Sequence, residues 1–455
     1  MRTWSRRLVT AATAMAGVLT LTAAAPAMPA TAEWGGSRTG DGSVSRQGDI
    51  LDALRALPGL RVIEERPAAD PGYRFFVLGL RQPVDHARPS AGTFEQRLTL
   101  LHKAADRPTV LSTTGYEVPL SPRRTEPTEL LDGNQIGVEH RFFGTSRPAT
   151  VDWSHLTVRQ AAEDHHRVVQ LFRKLYRGTW ISTGGSKGGM ASVYHRRFHP
   201  GDVDGTVAYS APNNVDDHDD SAYLRFLDTV GTPSCRDALK TAQRQLLLRR
   251  GEMVARYKAW AASTGATFRI VGSADKAFET AVLRAPAMFW QNHPASACAT
   301  VPGPEATTDE LYSWLDTTAV LEVYADPVAE HYIPYFYQLG TQLGYGTVST
   351  AHLKGLLRYP DPVDPRNFVP RDIPMRYDAR AMPDIDRWVR TAGSRLLFVN
   401  GTQDPAVAEP FRLGPGTRDS RILRAEGINH HARLANLSPT TRAEATATIL
   451  RWAGL

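Results

Sequence analysis

The chain has 455 residues, 42% hydrophobic and 22% charged, with a formal net charge of +6. No basic run is interleaved with aromatics, so the modest positive excess gives no footing to a nucleic-acid partner and reads as a solvated surface. Only two cysteines occur, Cys235 and Cys298, and neither has metal-ligand spacing.

Arg2, Arg6 and Arg7 precede an uncharged run from Leu8 to about Ala25, followed by Ala30-Thr31-Ala32 as a small-residue cleavage site. Residues 1–32 therefore read as a secretory signal peptide, compatible with Sec or twin-arginine export. Its removal takes three arginines and leaves a charge of about +3. No later segment is apolar over the ~20 residues that a bilayer span needs. The mature protein is accordingly expected to be secreted, without stable membrane association. In an exported protein Cys235 and Cys298 are expected to pair, and closing that loop would contribute about 4 kcal/mol in the chain-entropy account.

Residues 33–49 are rich in Gly, Ser and Thr and read as a flexible linker. The remaining ~420 residues exceed one ordinary core and suggest a main domain with a sizeable insertion. A short helix is expected over 50–57. Two alternating runs, GYRFFVLGLRQPVDH and TFEQRLTLLHK, read as antiparallel strands. The apolar runs in PTVLSTTGYE and QIGVEHRFFG suit strands buried on both faces of a parallel sheet, and LTVRQAAEDHHRVVQLFRKLY has helical spacing. Strand and helix alternate up to GTVAYSAP, which makes 50–212 the first part of an α/β core. Residues 213–385 lose the alternation and carry helical patterns over 235–262, 276–288 and 308–324, the marks of a mainly helical cap insertion. The core resumes over 386–455, with strands in RLLFVNG and SRILRAEG and a terminal helix over 440–452.

The stretch WISTGGSKGGM reads as strand, sharp turn and helix, with Gly184, Ser186 and Gly188 matching G-x-S-x-G. A serine at the apex of such a turn has its hydroxyl pushed out above the sheet. A phosphate loop is not matched, because Lys187 precedes the glycines. Asp404 follows the strand RLLFVNG, and His430 follows SRILRAEG with His431 beside it. The order serine, acid, histidine is that of the α/β-hydrolase fold, whose parallel strands bring their carboxyl ends to one edge. Ser186 is the expected nucleophile, His430 the base with His431 as the alternative, and Asp404 the acid that orients the imidazole. Backbone N–H groups of Lys187 and Tyr116 would form the oxyanion hole. Such a site requires no metal and no organic cofactor.

GGSKGGMASVYHRRFHPGDVDGTVAYSAP resembles the nucleophile region of the prolyl carboxypeptidase and dipeptidyl peptidase II family. GVEHRFFGTSRP, LTVRQAAED and EGINHH extend the likeness, and the whole chain resembles the secreted bacterial tripeptidyl aminopeptidases related to that family. The resemblance implies an exopeptidase that removes short peptides from the free N termini of oligopeptides, often with a preference for proline at the cleaved bond. It also implies that Met190 lines a proline pocket, although a core methionine fits the same position. Glu117 would contact the substrate's amine, with a purely structural glutamate as the other reading.

Lys187 departs from the family's tyrosine, and Gly340 and Gln342 depart from its Q-x-C-x-E cap segment. A secreted esterase or lipase with the same triad, and a non-catalytic wall-binding protein on the same scaffold, are the alternative functions. DDHDDS, residues 216–221, reads as a solvated charge run, and Asp164-His165-His166 as an ordinary polar helix face.

Overall fold

The computed structural model describes residues 49–455, so the expected signal peptide and all but the last residue of the expected linker lie outside the described residues. Asp49 caps α1 (Ile50–Arg55) by accepting from the Leu51 N–H. The strands are β1 (Leu60–Arg66), β2 (Arg74–Pro83), β3 (Thr93–His102), β4 (Thr109–Thr113), β5 (Asn134–Val138), β6 (Trp180–Gly185) and β7 (Gly205–Tyr209), then β8 (Leu396–Gly401) and β9 (Arg421–Ala425). Core helices α2 (Glu126–Leu131), α3 (Val158–Phe172) and α4 (Lys187–Phe198) fall between strands of the first part.

All nine strands form one sheet in the order β1-β2-β3-β5-β4-β6-β7-β8-β9. β2 and β3 pair antiparallel without interruption from Arg74↔His102 to Pro83↔Thr93. From β5 to β9 every pairing is parallel. Parallel strands need crossover helices, which cover both faces and leave strands such as GTVAY wholly buried. This is an α/β-hydrolase fold. β1 lacks a sequence signal, because LRVIEER is largely exposed at the sheet edge and its charges blunt that edge.

Between β7 and β8 the chain adds no strand to the sheet. It forms α5 (Ser221–Thr229), α6 (Pro233–Leu248), α7 (Arg250–Thr264), α8 (Ala274–Asn292), α9 (Thr308–Ala319), α10 (Val328–His331) and α11 (Ile333–Gln338). The helical pattern over 235–262 is two helices, broken at Arg249, whose guanidinium instead donates to the Ala306 carbonyl. These helices share a core of their own around Tyr257, Phe278, Trp290 and Leu311, each large buried side chain contributing about 1.5–3 kcal/mol. Cys235 and Cys298 form a disulfide that ties the start of α6 to the turn after α8. α12 (Ala381–Ala392) runs across residue 385, where the sequence suggested a boundary, and α13 (Pro439–Trp452) closes the chain.

The two polar runs are less solvated than their composition suggests. Asp164 and His165 are fully buried, since α3 packs under the β2–β3 loop and Arg141 pairs with Asp164 through bonds of 2.7 and 2.8 Å. Within DDHDDS, Asp217 accepts from the Tyr345 N–H, and burial raises both Asp217 and Asp220. These acids face Glu409, whose carboxyl is pushed up to about 7, first by burial and then by Asp220 and Asp219.

Because the folded-state value exceeds the ordinary 4.5, folding takes up a proton in that window, and stability falls as pH rises through it. Glu409→Gln is therefore expected to raise Tm by on the order of 1–3 °C at about pH 8 and to leave it unchanged at about pH 4, read by scanning calorimetry.

Candidate active site

The carboxyl ends of the parallel strands meet at one edge, and β6 delivers Ser186 there. Ser186 sits at φ 53°, ψ −128°, a region that side chains rarely occupy and that turns the chain from strand straight into α4. The turn is held by the Ser186 N–H donating to the Tyr209 carbonyl at 2.8 Å. It also demands glycine on both flanks. A Cβ on Gly184 would run into the Gly188 carbonyl, and one on Gly188 would lie 2.5 Å from the Thr113 carbonyl oxygen.

Asp404 leaves β8 fully buried. It accepts from the Ala406 N–H at 2.9 Å and from His430 Nδ1 at 2.8 Å. Of the two adjacent imidazoles, His430 thus carries the bond to the carboxylate, while the His431 main chain donates to Asn429 Oδ1. The bond assigns the Nδ1 proton and leaves His430 Nε2 as the free base position. Nε2 is buried and bonds no other group among the described residues, Ser186 included. Such contacts are often long before substrate binds. The His430 N–H donates to the Gln291 carbonyl at 3.2 Å, so the end of α8 braces the histidine loop.

After β4 the chain turns through Gly115-Tyr116-Glu117. Lys187, next to the serine, extends its buried side chain under this turn: Nζ donates to the Gly115 carbonyl at 2.6 Å and lies 4.8 and 5.4 Å from the Phe143 and Tyr116 ring centres. Burial pushes its pKa well below the ordinary lysine value, against the pull of Glu117. In a trans peptide the carbonyl and the next N–H point oppositely. Anchoring the Gly115 carbonyl therefore also fixes the direction of the Tyr116 N–H. Neither that N–H nor that of Lys187 donates to another described residue.

Glu117 accepts from the Gly144 N–H at 2.9 Å and lies 3.0 Å from His331 Nε2, with its side chain 31% exposed. Burial works to raise its pKa, but the His331 imidazole and the amides outweigh this and hold it below the ordinary value. Met190 is 5% exposed and packed among Val158, Val193 and Met382. Its thioether is therefore a core group with little surface to offer a proline ring. Two residues with no role assigned from the sequence support the site: Gln342 receives the Val158 N–H at the start of α3, and Glu139 gathers the Val118, Thr145 and Ser146 N–H groups. No sequence signal marks His331, which reaches Glu117 from more than 200 residues away.

Residues 44–455 match the profile of the family described as PS-10 peptidase S37. The chain belongs to this family of serine peptidases. It is 52% identical over 411 residues to the prolyl tri/tetrapeptidyl aminopeptidase of Streptomyces mobaraensis, covering 90% of this chain and 86% of that protein. A prolyl carboxy peptidase like protein of Caenorhabditis elegans is 38% identical over 89 residues, 17% of this chain and 18% of that one. Among solved structures, acetyl xylan esterase 1 from Thermoanaerobacterium is similar at 9% identity and a TM-score of 0.38, over 88% of this chain and 90% of that one. That likeness carries no weight here. Membership of the S37 peptidases sets the esterase and wall-binding alternatives aside.

Lys187→Met keeps the stem and deletes the donor. It is expected to lower kcat about ten- to a hundredfold with KM little changed, as measured by steady-state peptide hydrolysis.

Proposed function

We propose that this S37 peptidase is an exported aminopeptidase that releases tripeptides or tetrapeptides from free N termini through an acyl-enzyme on Ser186. The observation that carries the amino-terminal part of this reading is Glu117: an ionised, partly exposed carboxylate immediately after the oxyanion turn, held rigid by Gly144 and His331. A carboxylate so placed forms a charge-assisted contact with a protonated amine and denies the site to a continuous chain. The name of the Streptomyces relative supports the same reading, including a preference for proline at the cleaved bond. Export is supported by the leader-like residues 1–32 and by the disulfide, which persists in oxidising compartments.

In this mechanism Ser186 Oγ attacks the scissile carbonyl and gives its proton to His430 Nε2, while Asp404 stabilises the resulting imidazolium. The Lys187 and Tyr116 N–H groups receive the oxyanion. As the C–N bond breaks, His430 returns the proton to the leaving amine. Water, deprotonated by the same imidazole, then attacks the acyl carbon, and the released peptide departs with Ser186 restored.

Mass spectrometry of products from peptides with free or acetylated N termini, and with proline or alanine at the third position, tests the reading. Acetylation is expected to abolish cleavage, and cleavage of both forms alike would overturn the Glu117 assignment. Asp404→Asn is expected to reduce kcat about 10⁴-fold while far-UV circular dichroism stays unchanged.

A further inference from the structure

Arg284 lies on α8 and points into the interior between the cap and the sheet edge. None of its N–H groups bonds another described residue, and no carboxylate lies within ion-pair distance of its guanidinium among them. Nη1 is fully shielded from solvent and unpartnered. Its nearest charged or polar company is a set of phenols, those of Tyr324, Tyr345, Tyr335 and Tyr223, which favour its charge against the cost of burial. Arg284, Tyr223, Tyr335 and Tyr345 all retain some accessible surface even though protein surrounds them, as groups lining an enclosed space do. A guanidinium withdrawn from water without a carboxylate is costly to keep unless something else completes it.

The neighbours fix where this space lies. The Tyr335 ring packs against that of Tyr116, centroids 5.6 Å apart, and the Tyr116 main chain forms the oxyanion turn. The Asp404 charge acts on Tyr223, and α8 and α5 both pack on the turn that follows Asp404. Further along α8 the Gln291 carbonyl receives the His430 N–H. Arg284 and Gln291 are seven residues apart, two helical turns on one face, so about 10 Å separates Arg284 from the histidine loop along the axis. His430 protonates the leaving amine, so the wall beside it faces the leaving segment. An extended peptide covers about 3.5 Å per residue, and two or three residues beyond the cleaved bond span that gap.

We propose that Arg284 is the anchor for a carboxylate on the leaving segment, supplied by the C terminus of substrates with two or three residues after the cleaved bond. The planar guanidinium offers a carboxylate two parallel N–H groups, and the surrounding phenols add donors of their own. With Glu117 at the amine, the site would grip short peptides by both ends. This rests on the aminopeptidase reading and narrows its substrates to oligopeptides of about five to seven residues.

The test compares three hexapeptides of one sequence: the free acid, the C-terminal amide, and an amide with glutamate as the last residue. Wild-type kcat/KM is expected to be at least about tenfold higher for the acid than for the plain amide. The glutamyl amide separates the two sources of the carboxylate, since recovery there means that a side chain serves as well as the C terminus. Arg284→Gln and Arg284→Met are expected to bring the acid down to the amide and to leave the amide unchanged. Equal wild-type rates for acid and amide would overturn the proposal, as would variants that slow both forms alike. N-acetylated versions read the aminopeptidase assignment separately: if acetylation still blocks cleavage while amidation has no effect, the anchor falls and that assignment stands.

Discussion

The site depends first on how closely α4 can approach β4 and β6. Gly184 and Gly188 bring main chain against main chain beside the Thr113 carbonyl, with no room for a side chain at either place. That contact forces the left-handed conformation of Ser186 and aims the first N–H groups of α4 at the space above the sheet. It also sets Lys187 over the Gly115 turn, so one short segment carries a hydroxyl, a main-chain donor and the prop beneath a second donor. Methyl groups at the two glycines would prise these apart together.

The remaining parts arrive by different routes. β8 and β9 bring Asp404 and His430 to the same edge because parallel neighbours end together. The loop after β5 contributes support: Glu139 ties the amides of two turns, and Arg141 is clamped on Asp164 deep in the core. A buried pair of this kind fixes geometry more than it adds stability, since its desolvation cost offsets much of the attraction. Its effect is to make the ground under Tyr116 and Phe143 stiff.

Much of the sheet was legible in the sequence because its signals are local. The alternation in GYRFFVLGLRQP and the short apolar runs ending in turn residues record burial on one face or two, and β2 to β9 follow them. β1 was not legible, because an exposed edge strand needs no apolar face. The break at Arg249 escaped notice because tertiary bonds, and not a proline, end the helix there. Asp164 reads as surface because composition cannot reveal that an arginine pairs with it, and His165 because its spacing does not show that it packs against His195 in the core. The positions of Asp404 and His430 follow from the strand ends. The 2.8 Å bond between them, the Lys187 prop, His331 at Glu117 and the isolation of Arg284 are facts of packing, and no spacing rule encodes them.

The contact between Gln291 and the His430 main chain gives the inserted helices a second role. They pack on the turn that follows Asp404, and they also brace one side of the loop that carries His430. Excising residues 213–385 would therefore leave more than an unroofed hydrolase: the His430 main chain would lose the brace that the end of α8 supplies.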